Sequence, residues 1–253
     1  MNTIVIPAHN EEKRIRKTLE IYGEFFKKKN FEILIVLNGC KDKTLDVVKK
    51  SEKKYKIIRH IEFKQAGKGF AIVEGFKNAI KRKSNLIGFV DADLATPPVA
   101  FFDLVKDIGE SDGIIASRWM KKSIVKTKQS ILRRITSRSF NFLVRSLLGL
   151  KFSDTQCGAK LFKAEALKEV VESIGTTKWA FDVDLLYRLK RKGYKIKEIP
   201  TTWEEPGKSH LSLLKIPFQM FSAILRLRLI HSPFNFIVRA YNKLPEKIKI
   251  HNL

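Results

Sequence analysis

The run Leu86-Ile87-Gly88-Phe89-Val90-Asp91-Ala92-Asp93 sets five apolar residues directly before two carboxylates separated by one alanine. An apolar run of this length bounded by turn-forming residues reads as a buried strand, so both carboxylates are expected together at its carboxyl end. Thr3–Pro7, Phe31–Leu37 and Ile57–Phe63 are further strand candidates, with another near Gly113–Ser117. Helical patterns separate the first four at Lys13–Lys29, Lys43–Tyr55 and Gly69–Lys83. Strand and helix in alternation argue for an α/β fold with a mostly parallel sheet covered by helices. Ligands of such sheets bind at the carboxyl ends of the strands. Three segments then share one rim: Pro7-Ala8-His9-Asn10-Glu11-Glu12, Asn38-Gly39-Cys40-Lys41-Asp42, and Asp91-Ala92-Asp93-Leu94-Ala95-Thr96-Pro97-Pro98.

The chain has 253 residues, enough for one α/β domain with a peripheral extension. Its formal net charge of +24 draws it towards polyanions, whether phosphates, anionic lipid or nucleic acid. Between Met120 and Lys151 there is no Asp or Glu, and Ile131, Leu132, Ile135, Phe142, Leu143 and Leu147 recur near helical spacing among Arg133, Arg134, Arg138 and Arg145. This predicts a basic amphipathic helix. A second candidate runs from Leu211 to Ile230. No apolar stretch approaches the roughly 20 residues that span a bilayer. The start of the chain reads as a strand rather than a signal peptide, so a cytoplasmic location is expected. Cys40 and Cys157 lack metal-ligand spacing and are expected to be free thiols.

Two carboxylates at a strand's end suit Mg²⁺ or Mn²⁺, which take one or two such ligands and complete their shell with substrate phosphates and water. Asp is also common at turns and helix caps, and His9 with Glu11 could equally begin a helix. The surroundings decide between these readings. Val5-Ile6-Pro7-Ala8-His9-Asn10-Glu11-Glu12, Gly67-Lys68-Gly69, Asp91-Ala92-Asp93-Leu94-Ala95-Thr96-Pro97, Ser117-Arg118, Asp154-Thr155-Gln156-Cys157-Gly158-Ala159-Lys160-Leu161-Phe162 and Trp179-Ala180-Phe181-Asp182 occur in this order. In that joint order the chain resembles family 2 glycosyltransferases of the GT-A fold, and among them the dolichyl-phosphate (polyprenyl-phosphate) hexose synthases, especially the glucosyltransferase branch.

The resemblance implies a Rossmann-like sheet with helices on both faces, and peripheral amphipathic helices at a membrane interface. It implies that Pro7, His9, Glu11 and Asn38 contact the nucleotide. Asp91, Ala92 and Asp93 would hold base, sugar and metal, with Asp91 and Asp93 as the metal ligands. Lys68 would reach a phosphate. Arg118, Arg133 and Ser137 would grip the acceptor's phosphate, with Arg118 also steadying the leaving diphosphate. At Asn38 the family commonly has a carboxylate, and an amide offers one acceptor and two donors instead. Ala95 stands where similar mannosyl enzymes often carry a polar group, which favours the glucosyl branch. Asp182 is expected to organise the site, Cys157 to be structural, and residues 203–210 to form a flap over the donor.

The expected reaction is inverting transfer of a hexose from a nucleotide sugar, UDP-glucose ahead of GDP-mannose, to a dolichyl or polyprenyl phosphate. Residues 1–210, including the basic helix at about 128–150, would form the catalytic domain. Residues 211–253 would add an amphipathic helix and basic tail, attaching the chain peripherally to an anionic membrane surface on its cytoplasmic face. A soluble or polysaccharide acceptor is the alternative, although no Gln-x-x-Arg-Trp sequence follows Phe181-Asp182. The charge alone would also fit a nucleic-acid-binding module. None of its usual motifs is present, and no nucleic-acid partner is expected.

Overall fold

Continuous apolar runs build the centre of the sheet. Strand β1 (Asn2–Ala8) and strand β2 (Phe31–Asn38) are buried along nearly their whole length, as expected of parallel strands covered on both faces. Helix α1 (Ile15–Phe26) connects them, turning Ile15, Thr18, Leu19, Tyr22 and Phe26 inward at spacings of three and four. The computed structural model, which describes residues 1–126, 131–174, 180–204 and 215–242, continues with α2 (Thr44–Lys54), β3 (Ile58–Phe63), α3 (Lys68–Lys81) and β4 (Leu86–Val90). Pro98 opens α4 (Pro98–Asp107), a position where its missing N–H costs nothing.

Beyond α4 come β5 (Gly113–Ser117), a short β6 (Ile124–Val125), α5 (Ile131–Leu148), β7 (Ala159–Lys163), α6 (Ala164–Lys168) and α7 (Phe181–Arg191). Strands β8 (Ile196–Pro200) and β9 (Thr202–Trp203) and helices α8 (Lys215–Ile230) and α9 (Asn235–Asn242) complete the order. The seven-stranded sheet runs β3-β2-β1-β4-β7-β5-β8, with β6 and β9 paired separately. All pairings are parallel except those of β7, which runs antiparallel to both β4 and β5.

This reversed strand matters for the site. Because Val90 lies opposite Ala159, the start of β7, and Cys157-Gly158 just before it, arrive at the rim where β1, β2 and β4 end. The five strand candidates and three helix candidates correspond to elements of the structure, with ends shifted by a few residues. Strands β7 and β8 and helix α4 were not anticipated.

The chain divides into two compact units, residues 1–128 with 153–207, and residues 129–152 with 208–253. The helix α5, expected within a 1–210 segment, groups with the C-terminal helices. In that second unit α5 and α8 lie against one another, as do α8 and α9. Phe140, Val144 and Leu148 form the buried stripe of α5, whereas Ile135 (57% exposed) and Phe142 (68%) remain accessible. Arg134, Arg138 and Arg145 are exposed as well. Among the described residues no helix is long and apolar enough to cross a membrane.

Charged groups also meet at the opposite, amino end of the sheet. Glu32 accepts from Arg59 at 2.8 and 3.1 Å and from Thr3 at 3.0 Å, with Arg82 at 3.3 Å. Burial works against this carboxylate, but Arg59 and Thr3 outweigh it and hold its pKa below the ordinary value. Its groups satisfy one another at the sheet's amino end, so this cluster secures strands rather than binding a ligand.

Candidate active site

At the carboxyl rim a buried amide ties two loops together. Asn38 is 1% exposed; its Nδ2 donates to the Ala8 carbonyl at 2.9 Å, and its Oδ1 accepts the Gly67 N–H at 2.9 Å. Both ends of the side chain are thus engaged inside the protein, and the group expected to read a base instead joins the end of β1 to the turn that opens α3. Beside it, His9 Nδ1 lies 2.6 Å from the Asn38 carbonyl. That contact puts the proton on Nδ1, and Asn10 Nδ2 then donates to Nε2 at 3.3 Å. The Glu11 carboxylate is forked by Arg14 at 2.7 and 2.8 Å, while its backbone N–H donates to Thr44 Oγ1 at 2.8 Å. Pro7 remains inside buried β1.

The segment after β4 carries the densest charge. Lys68, the first residue of α3, forms an ion pair with Asp91. Burial opposes its ammonium, but Asp91 and Asp182 reverse the balance and raise its pKa above the ordinary lysine value. Asp93 accepts the Ala95 N–H at 3.0 Å. Burial first, and then the neighbouring Asp91 charge, push its carboxyl above the ordinary range. A carboxylate in that situation gains from a cation.

Among the described residues no group of three or more His, Cys, Asp or Glu side chains is arranged to hold a metal. Asp91 and Asp93 offer a set of two carboxylates, which could suit a hard divalent ion that keeps water and substrate phosphate in its shell. Gly158 makes the arrangement possible, because a Cβ there would lie 2.0 Å from Asp91 Oδ2.

Helix α1 fixes this loop from behind. Thr18 Oγ1 donates to the Ala92 carbonyl at 2.6 Å, and Tyr22 Oη donates to the Thr96 carbonyl at 2.8 Å, both in the interior. Neither was foreseen as a site residue. Their signal was present as two polar tips on an otherwise apolar helix face, since a buried hydroxyl needs a partner.

At the end of β5, Arg118 does not stand free. Its Nε and Nη2 donate to Asp154 at 2.7 and 2.9 Å, its backbone N–H donates to Asp154 at 3.1 Å, and its guanidinium lies 5.3 Å from the Trp203 ring centre. Burial disfavours both charges, yet pairing lowers the Asp154 pKa and raises that of Arg118. Arg118 thereby orders the turn at 153–158. Glu198, on β8, accepts the Ser153 and Asp154 N–H groups at 2.9 Å in the same turn.

Lys160, wholly buried on β7, donates to Asp182 Oδ1 and to the Cys157 carbonyl, each at 2.6 Å. This supports Asp182 as a residue that organises the site. A lysine inside the apolar Ala159-Lys160-Leu161-Phe162 strand was the readable hint. Burial pushes the Cys157 thiol up to about 12, which keeps it protonated and structural.

Pro7, His9, Asn38, Lys68, Asp91, Ala92 and Asp93 thus gather on one rim of the first unit. Ser137 and Arg133 belong to α5 in the second unit; Ser137 is half-buried, and the Arg133 side chain lies outside the described residues. So do positions 205–210 of the expected flap.

The model of glycosyl transferase family 2 matches residues 3–171. The glycosyltransferase AglD of Haloferax volcanii is 31% identical over 231 residues, covering 88% of this chain and 36% of that protein. Dolichyl-phosphate beta-glucosyltransferases of Dictyostelium discoideum and Homo sapiens are 31% and 32% identical, covering 89% and 90% of this chain and 73% and 74% of theirs. The chain therefore spans about a third of the length of the first relative and about three quarters of the other two. A crystal structure of glucosyl-3-phosphoglycerate synthase from Mycobacterium tuberculosis with Mn²⁺, UDP and phosphoglyceric acid superposes with a TM-score of 0.68 at 16% identity, covering 92% of this chain and 80% of that one. The fold is GT-A and the chain belongs to glycosyl transferase family 2.

Proposed function

We propose that this chain transfers a hexose, with inversion, from a nucleotide sugar to a polyprenyl phosphate of the dolichyl type, and that UDP-glucose is the donor. The observation that carries the reading is the pairing of Asp91 and Asp93 at the end of β4 with the Lys68 ammonium beside them. Two carboxylates and one mobile ammonium match the charges of a metal-bound diphosphate. The relatives named as dolichyl-phosphate beta-glucosyltransferases favour glucose as the sugar and dolichyl phosphate as the acceptor.

Asp91 and Asp93 would hold Mg²⁺ or Mn²⁺, which when bound supplies positive charge to the leaving diphosphate. The chain's own groups do the rest. Pro7, His9 and Glu11 frame the nucleotide, Asn38 keeps their loop in register with Gly67, and Arg118 with Asp154 holds the turn beneath the sugar. A phosphate monoester has a second pKa near 6 and is largely ionised at neutral pH. Its oxygen attacks the anomeric carbon without a general base, as the bond to the diphosphate breaks. Positioning and electrostatic stabilisation supply the rate.

Arg133 and Ser137 on α5 are assigned to the acceptor's phosphate, and the exposed Ile135 and Phe142 among arginines to an anionic membrane surface. That surface is taken to be the cytoplasmic one.

The test is to offer the protein a panel of nucleotide sugars with a short polyprenyl phosphate and Mn²⁺, extract with organic solvent, and determine the anomeric configuration of the product. A β-linked glucosyl lipid supports the proposal. Hexose appearing only on water-soluble acceptors refutes the lipid assignment.

A further inference from the structure

Lys68 is placed to do more than meet a phosphate. Its backbone is fixed: the preceding Gly67 N–H is held by buried Asn38, and Gly67 adopts a φ of 145°, open to glycine but strained for other residues. Its side chain is 44% exposed and ends on Asp91, the carboxylate that Gly158 leaves room for. An anchored Cα with a four-carbon stem lets the ammonium move while α3 stays in place. Asp91 thus already has a cation in the protein without ligand, whereas among the described residues Asp93 accepts the Ala95 N–H.

We propose that Lys68 and the divalent cation compete for Asp91, and that the nucleotide diphosphate resolves the competition by taking the displaced ammonium. The proposal rests on the reading of Asp91 and Asp93 as the metal ligands. Its consequence is thermodynamic. Without nucleotide, the metal must break the Lys68–Asp91 pair and deprive the ammonium of its paired carboxylate. With the diphosphate present, the ammonium moves onto phosphate oxygens and the carboxylate is freed. Metal and nucleotide therefore strengthen each other's binding, by the same factor in both directions. A bare metal ion would occupy the site weakly, so loading follows the donor.

The experiment measures Mn²⁺ binding to the full chain by electron paramagnetic resonance of the free ion, with and without UDP. Wild type should bind Mn²⁺ weakly alone and more tightly with UDP. Lys68→Met should bind Mn²⁺ about tenfold more tightly without UDP, and the gain from UDP should shrink by a similar factor. Lys106→Met removes a positive charge paired with Asp103 rather than with Asp91, and should change Mn²⁺ affinity less than about twofold. If Lys68→Met binds Mn²⁺ no better than wild type, or if Lys106→Met gains as much, direct competition is overturned while the metal site stands. Asp93→Asn should lose Mn²⁺ binding in both conditions. If it keeps full affinity, the metal-site reading itself fails, and the competition with it.

Discussion

A raised carboxyl pKa at Asp93 marks a charge that the fold tolerates rather than uses. Its folded pKa lies above the unfolded one, so the favourable contribution is fully present only below the unfolded value and is lost as pH rises through the folded value. At neutral pH the carboxylate therefore weighs against stability. Asp93→Asn should leave the melting temperature of the ligand-free protein unchanged or higher, remove the extra melting temperature that Mn²⁺ and UDP confer, and lower transfer by orders of magnitude; differential scanning fluorimetry beside an activity assay checks all three. Gly158→Ala should act differently. The added Cβ meets Asp91 Oδ2, the far end of a movable side chain, so the carboxylate turns away and transfer collapses while the fold survives. For Arg118 the damage falls on stability. Arg118→Ala strands the buried Asp154 charge and should cost about 3–5 kcal/mol in urea unfolding, most of it recovered in the Arg118→Met, Asp154→Leu double variant. Since the Asp154 pKa is lowered in the fold, the pair's contribution is present above pH ~4 and disappears as acid protonates Asp154. Asp91 and Asp93 were legible because their motif is local, and Lys68 because it stands between Gly67 and Gly69, although its pairing with Asp91 was not. The Asp154 fork on Arg118 and the Lys160–Asp182 pair were not, since 36 and 22 residues separate the partners.

Among the elements, α1 and β7 explain why a short loop after β4 is rigid enough to serve. Tyr22→Phe keeps the ring and removes the donor to the Thr96 carbonyl, leaving a buried acceptor unpaired; it should cost about 1–3 kcal/mol. Thr18→Val should act similarly on the Ala92 carbonyl. Because both bonds end on the Asp91–Thr96 loop, transfer should fall further than the stability loss explains, read as a drop in kcat at a temperature where both variants remain folded. The parallel strands were legible as unbroken apolar runs flanked by helical periodicity. Strand β7 was hidden because Ala159-Lys160-Leu161-Phe162-Lys163 carries lysines at both polar positions and pairs only with strands distant in sequence. Its antiparallel insertion, which brings Gly158 to Asp91, follows from packing and not from any local pattern.

At the scale of the molecule, charge is unevenly distributed. The unit formed by residues 129–152 and 208–253 contains thirteen Lys or Arg against one acidic residue, Glu246, and exposes Phe142, Phe234 and Phe236. Basic groups around accessible rings suit an anionic interface. The chain should sediment with anionic liposomes at low salt and be released as salt screens the attraction; equal sedimentation with neutral liposomes would contradict the charge argument. Family membership was legible from motif order along the chain, whereas the grouping of α5 with the C-terminal helices depends on contacts that no motif reports. Asp91 and Asp93 are proposed to serve hexose transfer to a lipid phosphate. The most direct measurement is mass spectrometry of the organic extract after wild type and Asp93→Asn are each incubated with UDP-glucose, Mn²⁺ and a short polyprenyl phosphate. The account predicts a lipid phosphate heavier by one hexose with wild type and none with the variant; an unaltered lipid with wild type, or equal product from both proteins, would contradict it.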